Sequence, residues 1–178
     1  MRDRTAVESV AVSHPSSPFQ FVVSDLLRRA GERRAETVSA PVGWRLELSR
    51  LIPDEPLHAE VTLEGASGGV YASGEVVAVA EHTCHRCNTN WRETIEVSLG
   101  EMIESGDGAD YPLDGDIADL ERPLRDTVLL ALPLVPTCRP DCLGLCGRCG
   151  ADLNTGACPG HDDDSSSPFA GLRELLEP

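Results

Sequence analysis

The chain has 178 residues, 40% of them apolar, which is enough for one domain with a hydrophobic core and short tails. Its formal net charge is −15, and a strongly acidic body is repelled by a phosphate backbone and attracted to basic proteins. Aromatic residues make up only 4% of the chain, so neither base stacking nor wrapping of nucleic acid is expected as the main activity.

The first 18 residues predict a flexible tail, because they are polar and contain proline and serine. They have no continuous apolar stretch of the kind that a secretory signal requires. No apolar run anywhere in the chain approaches the ~20 residues that span a bilayer. We therefore expect a cytoplasmic protein with no membrane partner.

The segment "FQFVVSDLLRRAGERR", residues 19–34, predicts a short helix that is capped by Ser24 or Asp25 and ends near Gly31. It carries the basic cluster of the chain, which consists of Arg28, Arg29, Arg33 and Arg34. After residue 50 the chain holds seven arginines against 24 acidic residues. The basic cluster is either a contact for RNA or an acidic partner, or a solvated helix end that complements the helix dipole.

From Trp44 onward, apolar and polar residues alternate, which predicts half-buried strands. The pattern occurs in "WRLELS" (44–49), "LHAEVTLEG" (57–65), "VYASGEVVAVAEHT" (70–83) and "NWRETIEVSL" (90–99). The turn residues "EGASGG" separate the second of these runs from the third. This order of strands and turns predicts an antiparallel meander.

The next segments predict a loop and two helices. "ESGDGADYPLDGD" (104–116) has no periodicity and lacks the order of acids of an EF-hand, so it predicts an exposed loop. "DLERPLRDTVLLALPLVP" (119–136) predicts a helix that turns Leu124, Val128, Leu129 and Leu132 inward and ends at Pro133. After the solvated "HDDDSSS" stretch, "PFAGLRELLEP" (168–178) predicts a short amphipathic helix.

Two CxxC pairs are the strongest chemical signal in the sequence. They are "CHRCN" at Cys84 and Cys87, between two predicted strands, and "CGRCG" at Cys146 and Cys149. A two-residue gap lets a tight turn direct both sulfurs at one ion, and clustered cysteines in a reducing cytosol are more often metal ligands than disulfides. Adding Cys138, Cys142, Cys158 and His161 gives eight ligands, which suffice for two four-coordinate zinc sites.

The sequence leaves two ways of pairing these ligands. One joins Cys84 and Cys87 with Cys138 and Cys142, and leaves a compact site of Cys146, Cys149, Cys158 and His161. The other joins the two CxxC pairs with each other, as zinc ribbons do. Either way, one or two structural zinc ions would tie the hairpin to the segment after the helix.

Catalysis is the alternative interpretation of the same residues. A thiol redox enzyme or a zinc-dependent enzyme would use the CxxC pairs, but the first pair is not followed by a helix whose N-terminus lowers a thiol pKa. A catalytic zinc ion keeps one coordination position for water, whereas eight ligands fill the four positions of each of two zinc ions. His82 precedes the first pair and His85 lies within it, and both are expected on the surface of a hairpin end. No other catalytic motif is present, so we predict no enzyme activity.

The segments "CHRC", "LLALPLVPTC", "CRPDCLGLCGRCGADLN" and "PFAGLRELL" resemble the YceD family, bacterial and plastid proteins linked to accumulation of large-subunit ribosomal RNA. The resemblance covers roughly residues 20–178 and departs in one place. The family usually ends the cysteine segment with C-x-C, whereas here Cys158 is followed by Gly160 and His161. Some members lack the second CxxC segment, and if they retain a metal, the first pairing is favoured.

The resemblance implies a non-enzymatic factor in large-subunit assembly, with no catalytic residues and no small-molecule substrate. Its partner would be a large-subunit precursor, through a basic ribosomal protein and possibly 23S rRNA. From the residues we predict an α+β fold, mainly an antiparallel sheet (meander or partial barrel) with a packed helix and a zinc-stapled C-terminal segment. We divide the chain into the tail over 1–18, one domain over 19–160 with the cysteine segment 138–161, and an acidic linker with a short helix over 161–178.

Overall fold

The computed structural model describes residues 16–161 except residues 107 and 157. A 3-10 turn covers Leu26–Arg28, and the helix and strands are α1 (Glu121–Ala131), β1 (Gln20–Val22), β2 (Arg33–Ala40), β3 (Ser49–Leu51), β4 (Leu57–Ala66), β5 (Gly69–Thr83), β6 (Asn90–Glu104) and β7 (Ile117–Asp119). Within the described ranges, no helix has the length and apolar character needed to cross a membrane.

β5 is the central strand of a five-stranded antiparallel sheet. β6 pairs with β5 along the full length of both strands, from Gly69 opposite Glu104 to Thr83 opposite Asn90. β4 and then β3 share the other edge of β5, and β2 pairs with the outer edge of β4. The meander predicted from the alternating runs is therefore β4–β5–β6, and the sheet does not close into a barrel.

The alternation of side chains buries one face of this sheet. Leu57, Ala59, Val61 and Leu63 of β4 are at most 2% exposed, whereas His58 lies on the solvent side. β5 contributes alternating Val and Ala residues to the same core. Because a strand turns successive side chains to opposite faces, the period-two pattern decides which face the helix covers.

α1 packs on the buried face beside β6. Leu124, Val128 and Leu132 are at most 3% exposed, as predicted, and Leu129 is partly buried against the core. The Oδ1 of Asp119 accepts a hydrogen bond from the Glu121 N–H at 2.9 Å, so a carboxylate satisfies one donor at the helix start. With the sheet, α1 confirms the predicted α+β class.

The N-terminal part differs from its prediction in two places. Residues 19–34 form β1, the 3-10 turn and the start of β2, because Gly31 and Gly65 begin a ladder that holds β2 against β4. Residues 44–48 do not form a strand, and Ser49 is the first residue of β3. The chain folds back on itself there, and the Leu51 N–H donates to the Trp44 carbonyl at 2.9 Å. In the first segment, pairing with β4 overrides the local helical preference.

The predicted tail and the predicted C-terminal helix fall mainly on residues 1–15 and 162–178, which lie outside the described residues. The division of the chain into tail, domain and linker stays a prediction.

Candidate metal centre

The loop that joins β5 to β6 presents Cys84 and Cys87. The Cys84 N–H donates to the Thr89 carbonyl at 2.9 Å, and the Asn88 N–H donates to the Cys84 carbonyl at 2.9 Å. Asn88 has φ +58°, a left-handed conformation that asparagine tolerates better than most residues. The turn brings the two sulfurs to one side of the loop.

The loop around Cys146 and Cys149 repeats this turn. The Cys146 N–H donates to the Ala151 carbonyl at 2.8 Å, and the Gly150 N–H donates to the Cys146 carbonyl at 2.9 Å. Gly150, at φ +72°, takes the place that Asn88 has in the first loop. Both CxxC pairs thus sit on turns with one hydrogen-bond pattern, which suits two ligands of a tetrahedral ion.

The first group of sulfurs consists of Cys84, Cys87, Cys138 and Cys142, whose Sγ atoms all lie within 4.8 Å of one another. The Sγ atoms of Cys84 and Cys142 are 3.9 Å apart, and those of Cys87 and Cys138 are 3.6 Å apart. Four Zn–S bonds of ~2.3 Å in a tetrahedron place the sulfurs about 3.8 Å apart. This group fits a zinc ion, and three of its cysteines are buried.

The second group consists of Cys146, Cys149, Cys158 and His161. The Cys158 Sγ lies 3.6 Å from the Cys146 Sγ and 3.7 Å from the Cys149 Sγ. The Nε2 of His161 lies 2.9 Å from Cys158 Sγ and 3.1 Å from Cys146 Sγ. The eight candidate ligands are grouped as in the first pairing considered from the sequence, and the two CxxC pairs do not share one group.

Backbone amides favour the thiolate form of one cysteine in each group. Burial opposes ionisation of Cys84, but hydrogen bonds from the backbone of Cys138, Cys87 and Arg86 outweigh it and lower its pKa to about 6. Backbone hydrogen bonds from Cys149 and Arg148, followed by the His161 side chain, lower the pKa of Cys146 to about 6. Thiolates are the form that binds metal.

A second cysteine in each group, Cys138 or Cys158, has a raised pKa. Burial, followed by the neighbouring Cys87 and Cys84, raises the pKa of Cys138 to about 12. The Gly160 backbone favours the Cys158 thiolate, but burial and the nearby Cys146 outweigh it and raise that pKa. Neighbouring thiolates oppose one another, and a divalent cation among them would remove this repulsion.

Two residues that the sequence analysis did not single out hold the groups in place. The guanidinium of Arg86 donates to the Cys142 carbonyl at 3.0 Å, and the Arg86 carbonyl accepts from the Leu145 N–H at 2.9 Å. The Oδ1 of Asn154 accepts from the Leu143 N–H at 2.8 Å, and its Nδ2 lies 3.7 Å from the Cys142 Sγ. The only sequence signal for Asn154 was its place in the "CGADLN" motif.

Residues 72–176 match the family described as "Large ribosomal RNA subunit accumulation protein YceD". The chain belongs to the YceD family. The matched range contains all eight residues of the two groups.

Relatives of this YceD-family protein match it over most of its length. An uncharacterized protein of Mycobacterium tuberculosis is 35% identical over 180 residues, covering 94% of this chain and 86% of the relative. An uncharacterized protein of Mycobacterium leprae is 32% identical, covering 93% and 81%. The "Large ribosomal RNA subunit accumulation protein YCED homolog 1, chloroplastic" of Zea mays is 24% identical, covering 90% of this chain and 55% of the plant protein. No solved structure matches the chain significantly.

His82 of this YceD-family protein lies in the core and not on the surface as expected. It is 0% exposed, its Nδ1 lies 2.8 Å from the Ser49 Oγ, and its Nε2 lies 3.0 Å from the Glu93 Oε1. The arrangement of serine, histidine and carboxylate resembles a catalytic triad. Ser49 is only 2% exposed, and its hydroxyl donates to the Pro133 carbonyl at 3.3 Å. The three residues connect the base of the first loop to the end of α1.

The basic cluster near the N-terminus is largely neutralised by ion pairs. Arg29 pairs with Glu32 at 3.3 Å and Arg33 with Glu64 at 2.9 Å. Arg34 pairs with Asp25 at 3.0 Å and with Glu36 at 2.6 Å. A phosphate would have to compete with these carboxylates.

Proposed function

We propose that this YceD-family protein is a non-enzymatic factor in biogenesis of the large ribosomal subunit, acts in the cytoplasm and supports accumulation of 23S rRNA. The observation that carries the proposal is the family match over residues 72–176. The name of the Zea mays relative supports the same role.

Each group of four ligands holds one structural zinc ion in this proposal. The ligands are Cys84, Cys87, Cys138 and Cys142 for one ion, and Cys146, Cys149, Cys158 and His161 for the other. Four protein ligands leave no position for a water nucleophile, which is typical of structural zinc. The first ion would connect the β5–β6 hairpin to the chain after α1. Its ligands Cys87 and Cys138 are separated by 51 residues in the sequence.

The partner in this proposal is a basic ribosomal protein of the large-subunit precursor. Glu60 on β4 stands directly opposite Glu75 on β5, and both are exposed. Like charges at opposite positions destabilise a sheet, so a basic partner would relieve a cost that the free protein bears. The ion pairs of Arg29, Arg33 and Arg34 make direct phosphate binding the less favourable route.

The test of the role uses cells that lack the protein. We expect the ratio of 23S to 16S rRNA to fall and to recover when the wild-type chain is supplied. Capture of the tagged chain should retain large-subunit precursors. An unchanged rRNA ratio together with capture of no precursor would refute the proposal.

The test of the binding mode compares two sets of variants at matched salt. One set changes the four clustered arginines to alanine. The other reverses charges in and before the acidic loop, at Glu101, Glu104, Asp107, Asp110, Asp114 and Asp116. We expect the acidic set to lose precursor particles and the arginine set to keep them. Loss with the arginine set alone would assign the contact to rRNA phosphates.

A further inference from the structure

β6 has a long strand edge that no other strand of the described residues covers. The strand runs for 15 residues, from Asn90 to Glu104, and pairs only with β5. The exception is its last residue: the Glu104 N–H donates to the Tyr111 carbonyl at 3.0 Å, and its carbonyl accepts from the Leu113 N–H at 2.8 Å. The edge before Glu104 is therefore unpaired in the part of the chain that the structure describes.

The bonds of Glu104 show which backbone groups face this edge. In an antiparallel pair, residues alternate between those that bond the neighbouring strand and those that point away from it. Glu104 points away from β5, and the register between β5 and β6 continues without a bulge. The N–H and C=O groups that point to the free edge thus belong to Arg92, Thr94, Glu96, Ser98, Gly100 and Met102.

Charge is the one usual protection against strand pairing that this edge carries. Natural edge strands are kept short or carry lysine, proline or a bulge, and β6 has none of these over 15 residues. What it does carry is negative charge, at Glu93, Glu96, Glu101 and Glu104. Its single arginine, Arg92, pairs with Glu81 at 3.2 Å.

The negative charge of β6 determines what kind of strand from another molecule can pair with its free edge. A second copy of this chain would bring another set of glutamates to the same edge, and like charges across strands oppose pairing. An extended segment rich in lysine or arginine would place its side chains beside these glutamates. Backbone bonding would then provide affinity and the charges would select the partner.

We propose that the free edge of β6, residues 92–102, binds an extended basic segment of a partner protein by strand addition. The inference rests on the proposed function, because it assigns the contact with a basic ribosomal protein to one edge and one binding mode. It does not require the zinc sites to act in binding.

The test uses proline at two matched positions. Thr94 on β6 and Thr37 on β2 are both exposed, and the backbone N–H of each points to a free edge of the sheet. For β2, the Gly65 N–H of the neighbouring chain segment donates to the Glu32 carbonyl, so even-numbered residues bond β4 and odd-numbered residues such as Thr37 point outward. Proline at either position removes a donor that the sheet does not use. Thr94→Pro blocks the proposed edge, whereas Thr37→Pro blocks the opposite edge of the same sheet.

The probe is an acetylated ten-residue peptide of alternating lysine and threonine with a fluorophore, and the measurement is fluorescence polarisation. We expect at least about tenfold weaker binding to Thr94→Pro and a change below about twofold for Thr37→Pro. The same peptide with alternate amides N-methylated keeps its charge but cannot form the ladder, and should bind the wild type about tenfold more weakly. This second measurement does not depend on the folding of a variant. Equal binding of both peptides to the wild type would overturn the proposal.

Capture of large-subunit precursors with the full-length chain separates this inference from the proposed function. Precursors retained by wild type and by Thr37→Pro but lost with Thr94→Pro support both. Precursors retained equally by Thr94→Pro overturn the strand-addition proposal and leave the proposed function standing. Edge-dependent peptide binding without any precursor capture, together with an unchanged ratio of 23S to 16S rRNA, supports the edge as a basic-peptide site and refutes the proposed function. A wild-type dimer that Thr94→Pro dissociates, with no peptide binding, would overturn the proposal in favour of a second copy.

Discussion

The Nδ2 of Asn154 donates a hydrogen bond to the Sγ of Cys142 across 3.7 Å. Asn154 belongs to the loop of the second cysteine group, and Cys142 is a member of the first. The same side chain accepts from the Leu143 N–H and from Arg139, each at 2.8 Å. Asn154 therefore couples the two candidate metal sites, and ligand orientation by such neighbours is a general feature of metal centres.

Replacing Asn154 with alanine should weaken the first metal site although no ligand is lost. The variant leaves the Leu143 N–H without its acceptor, and we expect the free energy of unfolding to fall by about 1–3 kcal/mol. Asn154→Asp is the matched control for the loop, because it keeps an oxygen acceptor for Leu143 but cannot donate to the Cys142 sulfur. Competition with a chromogenic chelator should show weaker metal retention in both variants; retention equal to wild type in both would show that Asn154 does not tune the site.

Removing metal should unfold the cysteine segment before the sheet. Binding free energy at thiolate sites is also folding free energy, whereas the sheet has its own core around β5. The purified protein should contain two zinc ions, and a strong chelator should release both, with loss of amide protection in residues 136–161 first. A protein that is metal-free as isolated, with the same amide protection before and after chelation, would contradict the two structural ions.

The two metal ions should leave at different rates. Cys84 and Cys142 are at most 3% exposed, whereas Cys149 and His161 are exposed to solvent. A chelator reaches the second group more easily, so release should show a fast and a slow phase of equal amplitude. Cys149→Ser should abolish the fast phase and leave the slow one. Loss of the slow phase in that variant would assign the rates the other way.

Substitutions of the two cysteines in the first CxxC loop should destabilise the protein far more than substitution of His85 in the same loop. Cys84→Ser or Cys87→Ser breaks a four-ligand sphere and should lower the unfolding temperature strongly and reduce the zinc content by one ion. His85 is exposed, and its Nδ1 contacts only the Pro136 carbonyl at 3.0 Å and Thr137 at 3.3 Å among the described residues. His85→Ala should lower the free energy of unfolding by about 1 kcal/mol, because it removes one hydrogen bond. Indistinguishable melting of all three variants would show that this loop holds no metal.

The ion pairs of Glu81 should make part of the stability depend on pH. Its carboxylate accepts hydrogen bonds from Arg50 at 2.9 Å and from Arg92 at 3.2 Å, and these bonds hold its pKa below the ordinary value. A pKa lowered in the folded state contributes stability above the unfolded value of ~4.3, and that contribution is lost as the pH falls through the folded value. Glu81→Gln should melt below the wild type at pH 7, and the difference should close on acidification.

Glu75→Gln is the control for this pH dependence. Glu75 lies on the same outward row of β5, but it stands opposite Glu60 and no arginine pairs with it among the described ion pairs. Removing its charge should leave the melting temperature unchanged or raise it at pH 7. A fall equal to that of Glu81→Gln would show that the arginine contacts add no stability.

Local sequence patterns determined much of this protein. The alternation from Leu57 to Leu63 predicted β4 and its buried face, because the period of a strand is two. The apolar spacing from Leu124 to Leu132 predicted α1. The CxxC spacing predicted two turns with convergent sulfurs, because that geometry is local and needs no distant contact.

The tertiary structure decided what depends on distant pairing. The eight candidate ligands allow two groupings with the same local turns, and only the path of the chain after α1 brings Cys138 and Cys142 to Cys84. β2 has a charged, unremarkable sequence and is a strand because β4 offers it a hydrogen-bonding edge. His82 is buried because it lies on the inward row of β5, where its Nδ1 contacts the Ser49 Oγ from another part of the chain. Such contacts join residues far apart in sequence, so no local pattern encodes them.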